Sequence, residues 1–224
     1  MDKQKEMVSK LFVIVTVTYV TCLLLSNLIA GKMISVLGAT LPAAVILFPL
    51  TYILGDVFTE VYGFKRTKMV IWLGFSCSFF AVLVYLATIA LPYPEFWKGQ
   101  EAFKTVLGIT PRVFAASLIG YLFGEFSNAY ILSRLKVRTK GKFLWFRTIL
   151  STLVGEAMDT IIFITVSFAG IIDKPILLQM ILFQYIFKVG YEVVFTPVTY
   201  RFVSWMKHKE EIDVFDHDES YRLI

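Results

Sequence analysis

The chain alternates long apolar runs with short polar stretches that are rich in Lys and Arg. A hydrocarbon core of roughly 30 Å takes about 20 helical residues to cross, and six of the runs reach that length. The predicted spans are 11–31, 41–62, 69–91, 111–133, 144–170 and 176–205. Residues 31–40 are predicted to form a loop or short hairpin, and 92–110 the longest connection. Residues 207–224 are predicted to be a polar, solvated tail.

The composition agrees with this pattern. Of 224 residues, 57% are hydrophobic and 17% are charged, with a mean hydropathy of +0.70. These values exclude a disordered chain, and two cysteines are too few for a disulfide scaffold. Ala116, Gly120 and Gly124 are spaced four apart, which favours close helix packing. The sequence therefore predicts an all-α, polytopic integral membrane protein whose residues 1–206 form one transmembrane domain.

Basic residues set the expected orientation. Sixteen of the 22 Lys and Arg residues fall before the first span, in 63–68, in 134–147 or at the C-terminal end, and five fall on the opposite side. Because cytoplasmic loops carry the excess of Lys and Arg, both termini are predicted to be cytoplasmic, as six spans require. The net charge of +5 sits in these short loops, so it does not indicate nucleic-acid binding.

Several kinds of chemistry have no signature in the chain. The only histidines, His208 and His217, lie in the polar tail, which excludes a histidine metal site or general base within the membrane. No nucleotide-binding glycine motif or nucleophile elbow occurs. We therefore predict no catalytic residue, no metal and no cofactor.

Charges inside the predicted spans are the informative feature. They are Asp56, Glu60, Glu125, Glu156, Asp159, Lys188 and Glu192. Each costs about 2.5–3.5 kcal/mol at the bilayer centre, so they must be paired, protonated or facing water. Lys188 most simply neutralises Glu192, four residues away on the same helix, and Glu60 lies near enough to the membrane edge to be hydrated. The remaining acids would hold protons or surround a polar cavity, which favours a transport pathway.

Spaced motifs carry a family resemblance over nearly the whole chain. They are Ser26-Asn27, Phe48-Pro49-Leu50-Thr51-Tyr52 with Asp56, Glu60-Val61-Tyr62-Gly63, Gly155-Glu156 with Asp159, Phe187-Lys188-Val189-Gly190-Tyr191-Glu192, and Asp213-Val214-Phe215-Asp216. This pattern resembles the queuosine precursor transporter family, also called the vitamin uptake transporter family. The resemblance implies uptake of a 7-deazaguanine (the cyano or aminomethyl precursor, or queuine) across a bacterial inner membrane by a multi-pass protein.

The chemistry of a deazaguanine suggests which side chains bind it. Its ring N–H and exocyclic amine are adjacent donors that one carboxylate can accept together, and we favour Asp159 for this role, with Asp56 second. An amide or lysine would complement the carbonyl, and aromatic walls would cover the ring. The candidate substrate-binding residues are Asn27, Phe48, Tyr52, Asp56, Glu125, Asn128, Glu156, Asp159, Gln184, Lys188 and Glu192.

Two other interpretations stay open at this point. One is the substrate-binding subunit of an energy-coupling-factor vitamin transporter, although residues 11–31 lack the alanines spaced four apart that such subunits usually present to their coupling partner. The other is an intramembrane enzyme that uses paired acids such as Glu156 and Asp159. The expected partners are a small-molecule substrate and the lipid bilayer, and the sequence leaves a homodimer open.

Overall fold

The computed structural model of the protein describes residues 9–36, 39–108 and 111–217. In these ranges the chain is almost entirely α-helical, as predicted. In chain order the elements are α1 (Lys10–Ile29), β1 (Met33–Val36), β2 (Ala39–Pro42), a 3-10 turn (Ala43–Ile46), α2 (Phe48–Ala90), α3 (Gln100–Leu107), α4 (Pro111–Arg138), α5 (Leu144–Phe168) and α6 (Lys174–Glu210).

The outer surface of the helices is apolar. Large side chains such as Ile14, Phe80, Leu178 and Val194 are more than half exposed, a pattern that soluble proteins rarely show over wide areas. Within the described residues, five helical stretches are long and apolar enough to cross a membrane. They are Lys10–Ile29, Leu50–Ala90, Gln100–Arg138, Leu144–Phe168 and Lys174–Glu210. The protein is therefore a multi-pass membrane protein.

The helix α2 covers most of the predicted span 41–62 and all but the last residue of the predicted span 69–91. It reverses direction between them. Gly63 has φ 79° and ψ 169°, a backbone region that is essentially open to glycine alone. The hydroxyls of Thr59 and Thr67 lie 3.3 Å apart, whereas eight residues along one straight helix would separate them by about 12 Å. The helix must therefore fold back on itself at Gly63.

Contacts with α4 show the same reversal. Residues 56–60 contact α4 at 128–136, advancing in the same direction along both helices. Residues 72–79 contact α4 at 126–114, advancing in opposite directions. The two halves of α2 are thus antiparallel neighbours joined by one residue, where the sequence predicted a loop over 63–68.

The connections follow the predictions in part. The strands β1 and β2 pair in an antiparallel arrangement, as in the expected short hairpin, with Met33 opposite Pro42 and Val36 opposite Ala39. The connection 92–110 contains one element that was not predicted, α3, which carries no buried residue. Its polar, exposed character places it at the bundle surface.

The helices α4 and α5 approach each other through small residues. A Cβ atom on Gly155 would lie 2.9 Å from the carbonyl oxygen of Gly124, and a Cβ atom on Gly120 would lie 3.1 Å from the carbonyl oxygen of Asp159. Only glycine permits such backbone contact without displacement. The small-residue spacing on α4 therefore marks a close helix contact, as predicted.

The C-terminal segment (211–217) does not behave as the solvated tail that the sequence predicts. The amide of Val214 donates to the carbonyl of Val61 at 3.3 Å, and the amide of Phe64 donates to the Asp216 carboxylate at 3.0 Å. Asp216 also accepts from the Ser133 hydroxyl. The segment returns because the break at Gly63 leaves backbone groups at a helix end in need of partners.

Candidate functional site

A buried lysine joins α5 and α6 near the middle of the bundle. Lys188 Nζ lies 2.8 Å from Glu156 Oε2 and 2.5 Å from Asp159 Oδ2. The two acids are three residues apart on α5, so they share one helical face. The predicted pairing of Lys188 with Glu192 is wrong. Two carboxylates on the facing helix attract the ammonium more strongly than one on its own helix does.

Asp159 differs from Glu156 in what else it faces. The Asp159 side chain is 10% exposed and the Glu156 side chain 1%. Asp159 borders a cavity of about 20 Å³, which is lined by Asn27, Ala30, Pro42, Ala44, Ser117, Asp159, Phe163 and Gln184. That volume suffices for about one water molecule, whereas small-molecule pockets usually measure about 300 Å³ or more. The bundle is therefore closed around this point.

Polar side chains continue from the cavity across three helices. Asn27 Oδ1 accepts a hydrogen bond from the Ser117 hydroxyl at 3.2 Å, and its Nδ2 donates to the Ser78 hydroxyl at 3.4 Å. These bonds fix the amide of Asn27 between α2 and α4. Gln184 on α6 brings a second amide to the cavity, and this one is buried. One wall of the cavity can thus both donate and accept hydrogen bonds.

A second polar group lies between α2 and α4. Asn128 Nδ2 donates to Asp56 Oδ1 at 2.7 Å, which ties the two helices together. In the described ranges, Asp56 Oδ2 and Glu125 Oε1 are buried and have no hydrogen-bond partner. The same is true of both carboxylate oxygens of Glu192. Unsatisfied buried oxygens are costly, so these acids are not explained by helix packing.

Tyr52 connects the two groups. A Cβ atom on Gly155 would lie 3.3 Å from its ring, and a Cβ atom on Gly124 would lie 2.5 Å from its hydroxyl. Within the described chain that hydroxyl is buried without a hydrogen-bond partner. Tyr52 therefore sits at the glycine contact of α4 with α5, one turn from Asp56 on α2.

The predicted binding residues fall into two sets. Asn27, Asp159 and Gln184 line the cavity, and Lys188 and Glu156 pair directly beside it. The others are buried elsewhere in the bundle core: Tyr52, Asp56, Glu125, Asn128 and Glu192. Phe48 begins α2, and its side chain lies outside the described part of the structure.

Sequence reasoning missed a second buried ion-pair cluster. Glu60, predicted to be hydrated, is fully buried, and its carboxylate lies 3.0 Å from Arg147 Nη1. Lys207 Nζ approaches the same carboxylate at 3.4 Å. Arg147 and Lys207 look like ordinary loop and tail cations in the sequence. Only the approach of α5 and α6 to the reversal of α2 brings them to Glu60.

The C-terminal segment extends this cluster. Asp213 lies 2.6 Å from Lys136 Nζ and 2.9 Å from Lys207 Nζ. Burial by itself would raise the pKa of the Asp213 carboxyl, but the hydrogen bonds from the two lysines outweigh it and hold the pKa below its ordinary value. Asp213 is therefore a charged anchor of the segment at neutral pH.

Metal-ligating side chains do not converge in the part of the chain that the structure describes. No group of three or more His, Cys, Asp and Glu residues there is arranged to hold a metal ion. The chemistry available at the cavity is hydrogen bonding and ion pairing through carboxylate, amide and ammonium groups.

Comparisons with known proteins agree on a class. Residues 42–202 match the family model described as "Putative vitamin uptake transporter". The chain is 27% identical over 176 residues to the "Probable queuosine precursor transporter" of Bacillus subtilis (strain 168), covering 78% of this chain and 77% of that protein. It is 24% identical over 173 residues to the "Queuosine precursor transporter" of Escherichia coli (strain K12), covering 76% of each. No solved structure matches the chain.

Proposed function

The chain belongs to the vitamin uptake transporter family, and on that premise we propose that it imports queuosine precursors across a membrane. It is a transporter and not an enzyme. The proposed substrates are 7-deazaguanines: the cyano or aminomethyl precursor, or queuine. Two similar proteins bear queuosine precursor transporter names, which supports this choice of substrate.

One observation carries the proposal of a site. Asp159 and Glu156 both contact Lys188. Asp159 also borders the cavity, whereas the Glu156 side chain is almost completely buried. A ligand that offers two adjacent N–H donors can replace Lys188 as the partner of the Asp159 carboxylate. Lys188 would then remain paired with Glu156. The site can exchange one partner for another without leaving the lysine buried and unpaired, which would be costly.

The remaining cavity groups complement the rest of the base. The amides of Gln184 and Asn27 lie on the cavity wall and can donate to the ring carbonyl. Phe163 lies there too and offers an apolar, aromatic surface to the flat ring. An aminomethyl or queuine substituent adds a positive charge, which the nearby acids would stabilise.

Transport requires the helices to separate at this point. The cavity of about 20 Å³ is far below the volume of a purine-sized pocket. We therefore assign the structure to a conformation in which the space around the cavity is closed. Binding would open the space between α6 and the other helices, because α6 supplies Lys188 and Gln184.

The proposed topology has six crossings with both termini in the cytoplasm. The reversal at Gly63 divides α2 into two antiparallel helices, which supports counting it as two crossings. The distribution of Lys and Arg supports the orientation. We further propose a bacterial inner membrane as the location and leave a homodimer as an option, with no nucleic-acid partner.

The experiment that tests this function is uptake by proteoliposomes that contain only this chain. Labelled 7-deazaguanines should accumulate in them, and the recovered compound should be chemically unchanged. Asp159→Asn should lower uptake at least tenfold, while Asp173→Asn, an exposed aspartate before α6, should leave it unchanged. Wild-type uptake by a folded Asp159→Asn protein would refute the site.

The second candidate function is the substrate-binding subunit of an ATP-driven vitamin transporter. The family's vitamin uptake description favours considering it. In that case proteoliposomes with this chain alone would bind the 7-deazaguanine but would not take it up. Uptake would appear only after an ATP-hydrolysing partner was added.

A further inference from the structure

Two buried acids at the boundary between α2 and α6 border neither the cavity nor the Glu60 ion pairs. They are Asp56 on α2 and Glu192 on α6. The charge of Asp56 interacts more strongly with that of Glu192 than with that of any other acid, so the two carboxyl groups lie close together. In the ranges that the structure describes, no ion pair involves either of them.

The oxygens of this pair lack most of the hydrogen bonds that they can accept. Asp56 Oδ1 accepts from Asn128 Nδ2 at 2.7 Å, but Asp56 Oδ2 and both carboxylate oxygens of Glu192 have no partner among the described residues. Asn128 is 1% exposed, and its Oδ1 is buried without a donor as well. Because its Nδ2 is bound to Asp56, this unsatisfied amide oxygen lies beside the same pair. What the site lacks is a hydrogen-bond donor.

Buried cations on the neighbouring helices are bound elsewhere. Arg147 of α5 and Lys207 of α6 bind Glu60, which lies one turn from the pair on α2. Lys188 of α6 binds the two acids of α5, and Lys136 of α4 binds the C-terminal segment. These contacts leave the charge of the pair to be neutralised by another species.

The other acids around the pair add negative charge. Glu125 of α4 acts on Asp56 and is itself hydrogen-bonded to the Tyr19 hydroxyl of α1. Glu156 of α5 acts on Glu192. The pair is therefore surrounded by acids from α2, α4 and α5, and this surrounding charge favours a bound positive ion.

A single proton would satisfy both the charge and the hydrogen bonds. Two carboxylates that share a buried site cannot both stay ionised without a large cost. A proton on one of them removes one negative charge and turns an acceptor into an O–H donor for a neighbouring oxygen. It needs only one lone pair, whereas a metal ion needs several oxygen ligands at once.

We propose that Asp56 and Glu192 form the binding site of a proton that is carried inward with the substrate. This inference rests on the proposed transport function. Helix α6 carries both Glu192 and Lys188, so opening α6 for the substrate also separates Glu192 from Asp56. A carboxylate of the pair takes a proton from water on the outer side and returns it to water on the cytoplasmic side, which restores the carboxylate. No other bond changes.

Infrared titration of the purified protein in detergent tests the site without substrate. A protonated carboxyl group has a C=O stretching band that a carboxylate lacks, and the wild type should lose such a band reversibly as the pH rises. Asp56→Asn/Glu192→Gln should lack this titrating band, while Glu101→Gln/Asp173→Asn, at exposed positions, should retain it. Absence of the band from the wild type, or its persistence in the first variant, would overturn the proposal.

A milder variant covers the case in which the double variant does not fold. The side chain of Glu192 makes no hydrogen bond within the described chain, so Glu192→Gln should fold normally. Its titrating band should be weaker than that of wild type or shifted in pH. A titration identical to that of the wild type would refute the assignment to this pair.

Uptake by proteoliposomes tests whether the proton travels with the substrate. The labelled cyano deazaguanine is the suitable probe, because it has no basic amine that a pH gradient could trap. With the membrane potential held at zero and an alkaline interior, one proton per substrate should give up to about tenfold accumulation for each unit of pH difference. A sodium gradient at equal pH should give no accumulation.

The outcomes separate this inference from the transport function. Uptake that is insensitive to the pH gradient, or that follows sodium instead, would overturn proton coupling and leave the transport function standing. A wild-type response to the gradient in Asp56→Asn/Glu192→Gln would refute the assignment to these two acids. Absence of uptake under every gradient would refute the transport function itself, and the infrared titration would then decide whether the pair holds a proton.

Discussion

The buried pair of Glu60 and Arg147 allows a quantitative test of what holds the end of the bundle together. The Glu60 side chain is 0% exposed and that of Arg147 1%, with 3.0 Å between Oε1 and Nη1. At an effective dielectric constant of about 20, two unit charges at that distance attract by about 5–6 kcal/mol. Removing one partner of a buried pair typically costs about 3–5 kcal/mol.

The remaining contacts of Glu60 and Arg147 determine which single variant loses more free energy of unfolding. In Glu60→Gln, Arg147 keeps a hydrogen bond to the carbonyl of Gly141 at 3.2 Å but loses its carboxylate. In Arg147→Met, Glu60 keeps Lys207 at 3.4 Å. We therefore expect the free energy of unfolding to fall by about 5 kcal/mol in Glu60→Gln and about 3 kcal/mol in Arg147→Met.

The double variant Glu60→Leu/Arg147→Met separates the pair from general packing. Replacing both members of a buried pair with apolar groups is often neutral or stabilising, so it should lie within about 2 kcal/mol of wild type. The assay is equilibrium unfolding in mixed micelles, followed by tryptophan fluorescence. The matching single variants for this comparison are Glu60→Leu and Arg147→Met. A loss in the double variant equal to the sum of their two losses would refute the reasoning, because independent residues show no coupling energy.

Three further predictions concern other parts of the molecule. Gly124→Ala places a methyl 2.5 Å from the Tyr52 hydroxyl and should lower the free energy of unfolding by about 1–3 kcal/mol, whereas Gly190→Ala, with nothing within 4 Å, should not destabilise. Gly63→Ala should cost about 1–3 kcal/mol from backbone strain alone, measured in the same micelle assay. Because the pKa of Asp213 is lowered in the folded protein, its contribution is complete above about pH 4 and is lost as the pH falls further. Amide-exchange protection of the C-terminal segment should therefore decline only below about pH 4, and a decline between pH 5 and 7 would contradict this assignment.

Much of the architecture follows from apolar run lengths alone. The helices begin and end within several residues of the predicted limits at most positions, because crossing the hydrocarbon core fixes a minimum length. Part of the candidate site also follows from the sequence. Asn27, Asp159 and Gln184 interrupt otherwise apolar helices, and burying such groups without a use is too costly to be incidental.

What the sequence did not predict depends on contacts between distant helices. Spacing favours Lys188 with Glu192, since spacing describes neighbours on one helix only, whereas the actual partners come from α5. The excess of Lys and Arg indicates which side of the membrane a loop lies on. It does not indicate whether the side chain of a given cation is buried in the helix bundle. In the sequence, Lys136 and Arg147 therefore resemble ordinary loop charges, although both are buried in the structure.

The glycine contact between α4 and α5 also limits how the protein can move. The close contact at Gly124 and Gly155 leaves little space between α4 and α5, so we expect this pair to move as a single rigid unit. Asp159 belongs to this pair, while Lys188 is carried by α6, which contains Pro197 in its interior. The ion pair between Lys188 and Asp159 would then hold α6 against the α4–α5 pair. A substrate that binds the Asp159 carboxylate would release α6.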